Sequence, residues 1–104
     1  GVKEFEDYKA WFNKYYPTGD INDSLNVLGY SSGQTLEHVL RKAGDNLTRE
    51  NIMKQAADLN LTLPMLYPGV DVKTSATDFH PIERMQLVRF NGTRYEPFGQ
   101  VLGD

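Results

Sequence analysis

Ala43-Gly44-Asp45-Asn46-Leu47-Thr48-Arg49-Glu50-Asn51-Ile52-Met53 holds the end of one helix and the start of the next. Gly44 stands where a left-handed terminator is expected, because glycine reaches positive φ without a Cβ clash. Thr48 offers its hydroxyl to the free amides of the following turn, and Glu50 brings negative charge to the positive end of the helix dipole. Leu47 and Ile52 have the spacing of a hydrophobic staple. Ile52, Ala56 and Leu59 then face inward, and this helix is expected to end near Asn60.

Upstream, the preceding helix is capped by Asp23 or Ser24 and runs to Ala43, with Leu25, Leu28, Leu36, Val39, Leu40 and Ala43 along its apolar stripe. Gly29 and Gly33 each cost this helix about 1 kcal/mol relative to alanine. The expected compensation is close approach of another backbone or of a ligand. Asp20 to Asp23 is a polar link. Before it, Val2 to Tyr16 places Phe5, Tyr8, Phe12 and Tyr15 at steps of three and four, the period of one helical face, until Pro17 and Gly19 stop it. So many rings on a short helix imply a large apolar partner surface.

Downstream the period changes. Val70, Val72 and Thr74 alternate as a short strand, Ser75 to Pro81 is a loop, and Met85 to Phe90 is a second strand. Asn91-Gly92 is a hairpin signal that returns Thr93 to Tyr95 antiparallel, and Val101-Leu102 is a last short strand. The fold class is therefore α/β, about three helices followed by short strands and a hairpin. A self-contained α/β domain usually alternates the two, so this order is expected at the end of something larger.

At 104 residues and a net charge of −3, the chain has the length of one domain and lacks the basic footprint of a nucleic-acid binder. The absence of cysteine excludes thiol catalysis, thiolate zinc sites and disulfides. No apolar run approaches the roughly twenty residues that span a bilayer. No secretory signal is visible at Gly1; removal of a precursor's signal and a start inside a longer protein are both compatible with this.

The run from Ala43 to Met53 resembles a stretch of the branched-chain-amino-acid-type (Leu/Ile/Val-binding-protein-like) solute-binding proteins of ABC transporters, which have the type I periplasmic binding protein fold. Further fragments agree in the same order: Pro64 to Val70, Thr74-Ser75, Asp78, Pro81-Ile82 and Met85 to Gly92. Trp11, Lys14 to Pro17 and Gly29-Tyr30 agree upstream. The resemblance implies two lobes, of which this chain is a C-terminal portion. Residues 1–19 would be a second-lobe helix, 20–84 first-lobe helices and strands, and 85–104 a crossing and second-lobe strands. It implies a periplasmic or envelope-associated bacterial protein, made with a signal peptide, that captures a small amino-acid-like or carboxylate/amide ligand by hinge closure and delivers it to ABC transporter membrane subunits. As a fragment, it would also self-associate.

By the same resemblance, Leu25, Asn26, Gly29 and Tyr30 are candidate ligand-binding residues; the alternative for Leu25 and Tyr30 is plain core or hinge packing. No catalytic residue, cofactor or metal is expected. His38 beside Glu37 and His80 near Asp78 lack the spacing of familiar metal motifs and have no nucleophile partner. Glu4, Glu6, Asp7, Asp20 and Asp23 do not follow a calcium loop and are read as a wet face and a cap. The sequons at Asn22, Asn46, Asn60 and Asn91 mostly coincide with caps and turns. Asp20, Arg49 and Arg84 are candidate charges for docking on a transporter. The competing reading is a stand-alone interaction or structural module that uses its aromatic helix.

Overall fold

The aromatic segment closes into helix α1, Val2–Tyr15, in the computed structural model, which describes residues 1–103. Of the ring stripe, Tyr8 and Phe12 are fully buried, whereas Phe5 and Tyr15 remain exposed. The turn after α1 folds back against these rings. A Cβ on Gly19 would lie 2.5 Å from the Tyr16 ring and 2.7 Å from that of Phe12, so the close approach belongs to glycine alone.

Helix α2, Ser24–Ala43, has the predicted bounds. Asp23 rather than Ser24 is the cap, its carboxylate accepting the Leu25 N–H at 2.9 Å. Gly44 ends the helix at φ 59°, donating to the Leu40 carbonyl at 3.2 Å. The Asp20–Asp23 link is wound tightly onto this start: Asp20 accepts the Asn22 N–H at 2.9 Å through its side chain, and the Asn26 amide at 2.8 Å through its carbonyl. Helix α1 meets α2 through rings, with Tyr30 edge-on to Tyr8 at 5.2 Å and to Trp11 at 4.9 Å.

Helix α3, Arg49–Ala56, begins as predicted, with the Thr48 hydroxyl accepting the Asn51 N–H at 3.3 Å. Asn51 reaches back to the Asn46 carbonyl at 2.7 Å and the Ala43 carbonyl at 3.2 Å, so its amide ties the α2–α3 turn together. Leu47 stays exposed, and Ile52 packs instead against the cluster of Val39, Leu59 and Val72. The helix ends four residues before the expected Asn60, because a distant side chain captures its terminus. The Thr74 hydroxyl donates to the Ala56 carbonyl at 2.6 Å and accepts the Leu59 N–H at 2.9 Å. Asn60–Leu61 is thereby released to form strand β1, antiparallel to β2, Val72–Lys73, with Leu61 opposite Val72.

The C-terminal hairpin pairs β3, Val88–Phe90, with β4, Tyr95–Pro97, Phe90 standing opposite Tyr95. Asn91 and Gly92 make the turn, but over four residues rather than two. The Asn91 N–H donates to the Arg94 carbonyl at 3.0 Å, and the Asn91 side chain accepts the Thr93 and Arg94 amides. The returning strand accordingly starts at Tyr95, not Thr93. Met85 lies outside β3 and bridges Leu102 instead, which is all that forms of the expected Val101-Leu102 strand. Each sheet thus has two antiparallel strands.

The largest departure concerns the outer face of α2. Val39 and Ala43 are buried, but Leu28 and Leu36 are each 56 % exposed, and Leu25 and Leu40 are exposed as well. The chain presents 7944 Å² to solvent, whereas a folded monomer of 11.8 kDa exposes about 5,900 Å². Its radius of gyration of 16.0 Å likewise exceeds the roughly 13 Å of a compact domain this long. The apolar stripe is longer than the surface this chain supplies to cover it.

Candidate functional site

Along α2, positions 29, 33 and 37 follow one another at four-residue steps and so lie on one face. Two of them are glycines, and nothing lies within 4 Å of where a Cβ would stand on either. No other backbone of this chain approaches either glycine. Their missing side chains leave a groove between α1 and α2 of about 260 Å³, lined by Trp11, Gly29, Tyr30, Gly33, Gln34 and Glu37.

The groove is amphipathic. Trp11 and Tyr30, crossed at 60°, form its aromatic wall, and Trp11 remains 40 % exposed there. Gln34 contributes an amide whose Oε1 is buried without a hydrogen-bond partner among the described residues. Glu37 adds a carboxylate held by Arg41 at 2.6 Å. Beneath the groove the buried Tyr8 hydroxyl also lacks a partner. Its burial pushes the hydroxyl's pKa up, and the Asp23 carboxylate adds to the shift.

Of the four candidate residues, Gly29 and Tyr30 lie in this groove. Leu25 and Asn26 sit one turn earlier and do not line it. Leu25 is 69 % exposed, and Asn26 spends its amide on the Asp20 carbonyl. Trp11, Gly33, Gln34 and Glu37 line it as well and are not among those four. The four-residue step from Gly29 to Gly33 and Glu37 was the available signal, and Trp11 was legible as the ring that falls off the Phe5, Tyr8, Phe12 and Tyr15 stripe. The opposite side of α2 borders a second, more apolar groove of about 250 Å³, where Ser31 is buried with its hydroxyl unpaired beside Leu28, Leu63 and Ile82.

The charged candidates resolve into local structure. Lys3 pairs with Asp7, and Lys9 with Glu6 at 3.2 Å, along α1, while the N-terminal amine holds the Glu4 carboxyl below its usual range. Asp20 and Asp23 serve the link and the cap. Arg84 is not a free docking charge. It donates to the Gly69 carbonyl at 3.0 Å and lies 3.9 Å from Asp71, whereas Arg49 is exposed. No helix among the described residues is long and apolar enough to cross a membrane.

The groove thus combines an aromatic wall with a floor of two bare glycines. A family model described as periplasmic binding protein matches residues 3–94, and the chain belongs to that family. The family is one of extracytoplasmic solute-binding proteins that serve transport and is generally non-enzymatic. No curated protein and no solved structure matches the chain.

Proposed function

We propose that this chain is the C-terminal portion of the solute-binding component of an ABC importer, of the branched-chain-amino-acid type, and that the α1–α2 groove forms part of its ligand-capturing surface. The observation that carries the reading is the groove itself, in which an aromatic pair, two bare glycines and an unpartnered amide converge within a chain of this family. Tyr30 supplies part of the groove's wall and Gly29 part of its floor. Leu25 and Asn26 position the link that precedes them. The ligand is a small amino-acid-like compound or a related carboxylate or amide. The α2 leucines and the rim of the groove then meet the remainder of two lobes, and ligand shifts the hinge toward its closed state by binding that state better. Residues 1–19, 20–84 and 85–104 are assigned to second lobe, first lobe, and crossing with second lobe.

Trp11 is the chain's single tryptophan and lies in the groove, so its fluorescence reports on ligand directly. The gene product at its natural length is titrated with amino acids, their amides and small carboxylates, and saturable changes are expected with at least one of them. This chain alone should bind the same compound far more weakly. Saturable binding of equal affinity to this chain alone would contradict the assignment of a missing second wall. Indifference of the natural-length product to every compound would contradict the ligand class.

The alternative, an interaction module docking through its aromatic helix, draws on the exposed rings of Phe5, Trp11 and Tyr15. It predicts that a partner protein, not a metabolite, quenches Trp11.

A further inference from the structure

The loop after β2 brings together three side chains that no familiar motif relates. Its two ends are pinned, Lys73 donating to the Pro81 carbonyl at 2.8 Å and Ser75 to that of Asp78 at 2.9 Å. Between these anchors the Asp78 carboxylate accepts the His80 amide at 3.0 Å and lies 3.4 Å from His80 Nδ1. Glu83 closes the group, and the donor atoms of Asp78, His80 and Glu83 all lie within 4.8 Å of one another. They face a concavity of about 190 Å³ that Lys73, Thr74 and Arg84 also line.

Two carboxylates and an imidazole gathered this closely are the hard-and-borderline donor set of a divalent transition ion. The cations already nearby do not take that role. Arg84 is committed to the Gly69 carbonyl and Asp71, and Lys73 makes no ion pair among the described residues. Donors bound tetrahedrally at about 2.0–2.2 Å lie about 3.3–3.6 Å apart, so closing on an ion asks the side chains to move together by roughly an ångström. His80 is free to make this movement, its side chain being 86 % exposed. We propose that Asp78, His80 and Glu83 form a binding site for a borderline divalent ion such as Zn²⁺, Ni²⁺ or Cu²⁺, open to water on its outer side. The imidazole selects these ions over Mg²⁺ and Ca²⁺, which prefer oxygen-only shells. Occupancy would lock the loop onto β2, away from the α1–α2 groove and independently of the solute it holds.

The test titrates the chain with zinc chloride and follows the ring-proton NMR signals of its two histidines, His38 and His80. Saturable movement of the His80 signals is expected, with His38 unmoved, no response to magnesium, and a melting temperature that rises with zinc because the folded state alone carries the site. H80Q and E83Q should each weaken zinc binding by about tenfold or more, while H38Q should leave it unchanged. Unmoved His80 signals, or unaltered affinity in H80Q with circular dichroism showing the chain still folded, would overturn the site. Because the readout is zinc, its failure leaves the solute-binding reading untouched, and the reverse also holds.

Discussion

Thr74 shows how much one side chain can decide. Its hydroxyl ends α3 at Ala56 and begins the β1–β2 pairing at Leu59, and its own N–H donates to the Leu59 carbonyl at 3.0 Å. T74V keeps the shape but strands a carbonyl and an amide. It should cost about 1–3 kcal/mol in urea unfolding, with an unchanged midpoint counting against the clip. Tyr8 presents the opposite case, a fully buried hydroxyl with no partner. Y8F should therefore be neutral or more stable by about 1 kcal/mol. Because burial raises the Tyr8 pKa in the folded chain, the unfolded chain gives up this proton first as pH rises. The resulting stability is present below about pH 10, the ordinary tyrosine value, and is lost as pH climbs through the raised one. Denaturation midpoints measured up the alkaline range should fall less steeply in Y8F than in the parent.

At the scale of the element, α2 has two faces with different energetics. Val39 sits in the cluster with Leu59 and Val72, and V39A should cost about 2 kcal/mol through lost burial and a small cavity. Leu36, three residues away, is more than half exposed; L36Q should change stability by no more than about 0.5 kcal/mol. The glycines separate folding from binding within the same helix. G29A and G33A enter open space in a regular helix and should each stabilise it by about 0.5–1 kcal/mol. If the groove takes a solute, the same methyl groups should weaken its capture in the natural-length protein. Thermal melts and ligand titrations of one variant would then move in opposite directions.

For the whole molecule, the governing quantity is the surface left over. About 2,000 Å² beyond the expectation for a compact monomer is enough for a stable interface, and the exposed leucines of α2 supply its apolar part. The chain on its own should accordingly self-associate as concentration rises in light scattering, and the pair L28E and L36E should shift it toward monomer. A parent chain that stays monomeric at high concentration would show that these leucines need no cover.

Local chemistry by itself determined the three helices, both ends of α2, the start of α3 and the place, though not the length, of the turn at Asn91-Gly92. Caps, glycine terminators and turn residues act within a few positions, so they are legible along the chain. Gly29 and Tyr30 are candidates only through the resemblance to solute-binding proteins, and nothing along the chain joins the other residues lining the groove to them. Trp11 reaches it by packing α1 against α2, as Thr74 reaches Ala56 across eighteen residues. Period and composition mark a residue as apolar or helical but do not say which partner surface exists. Only the tertiary structure decided that Val39 and Ala43 of the α2 stripe are covered while its four leucines are not, because burial depends on what other segments bring to a face.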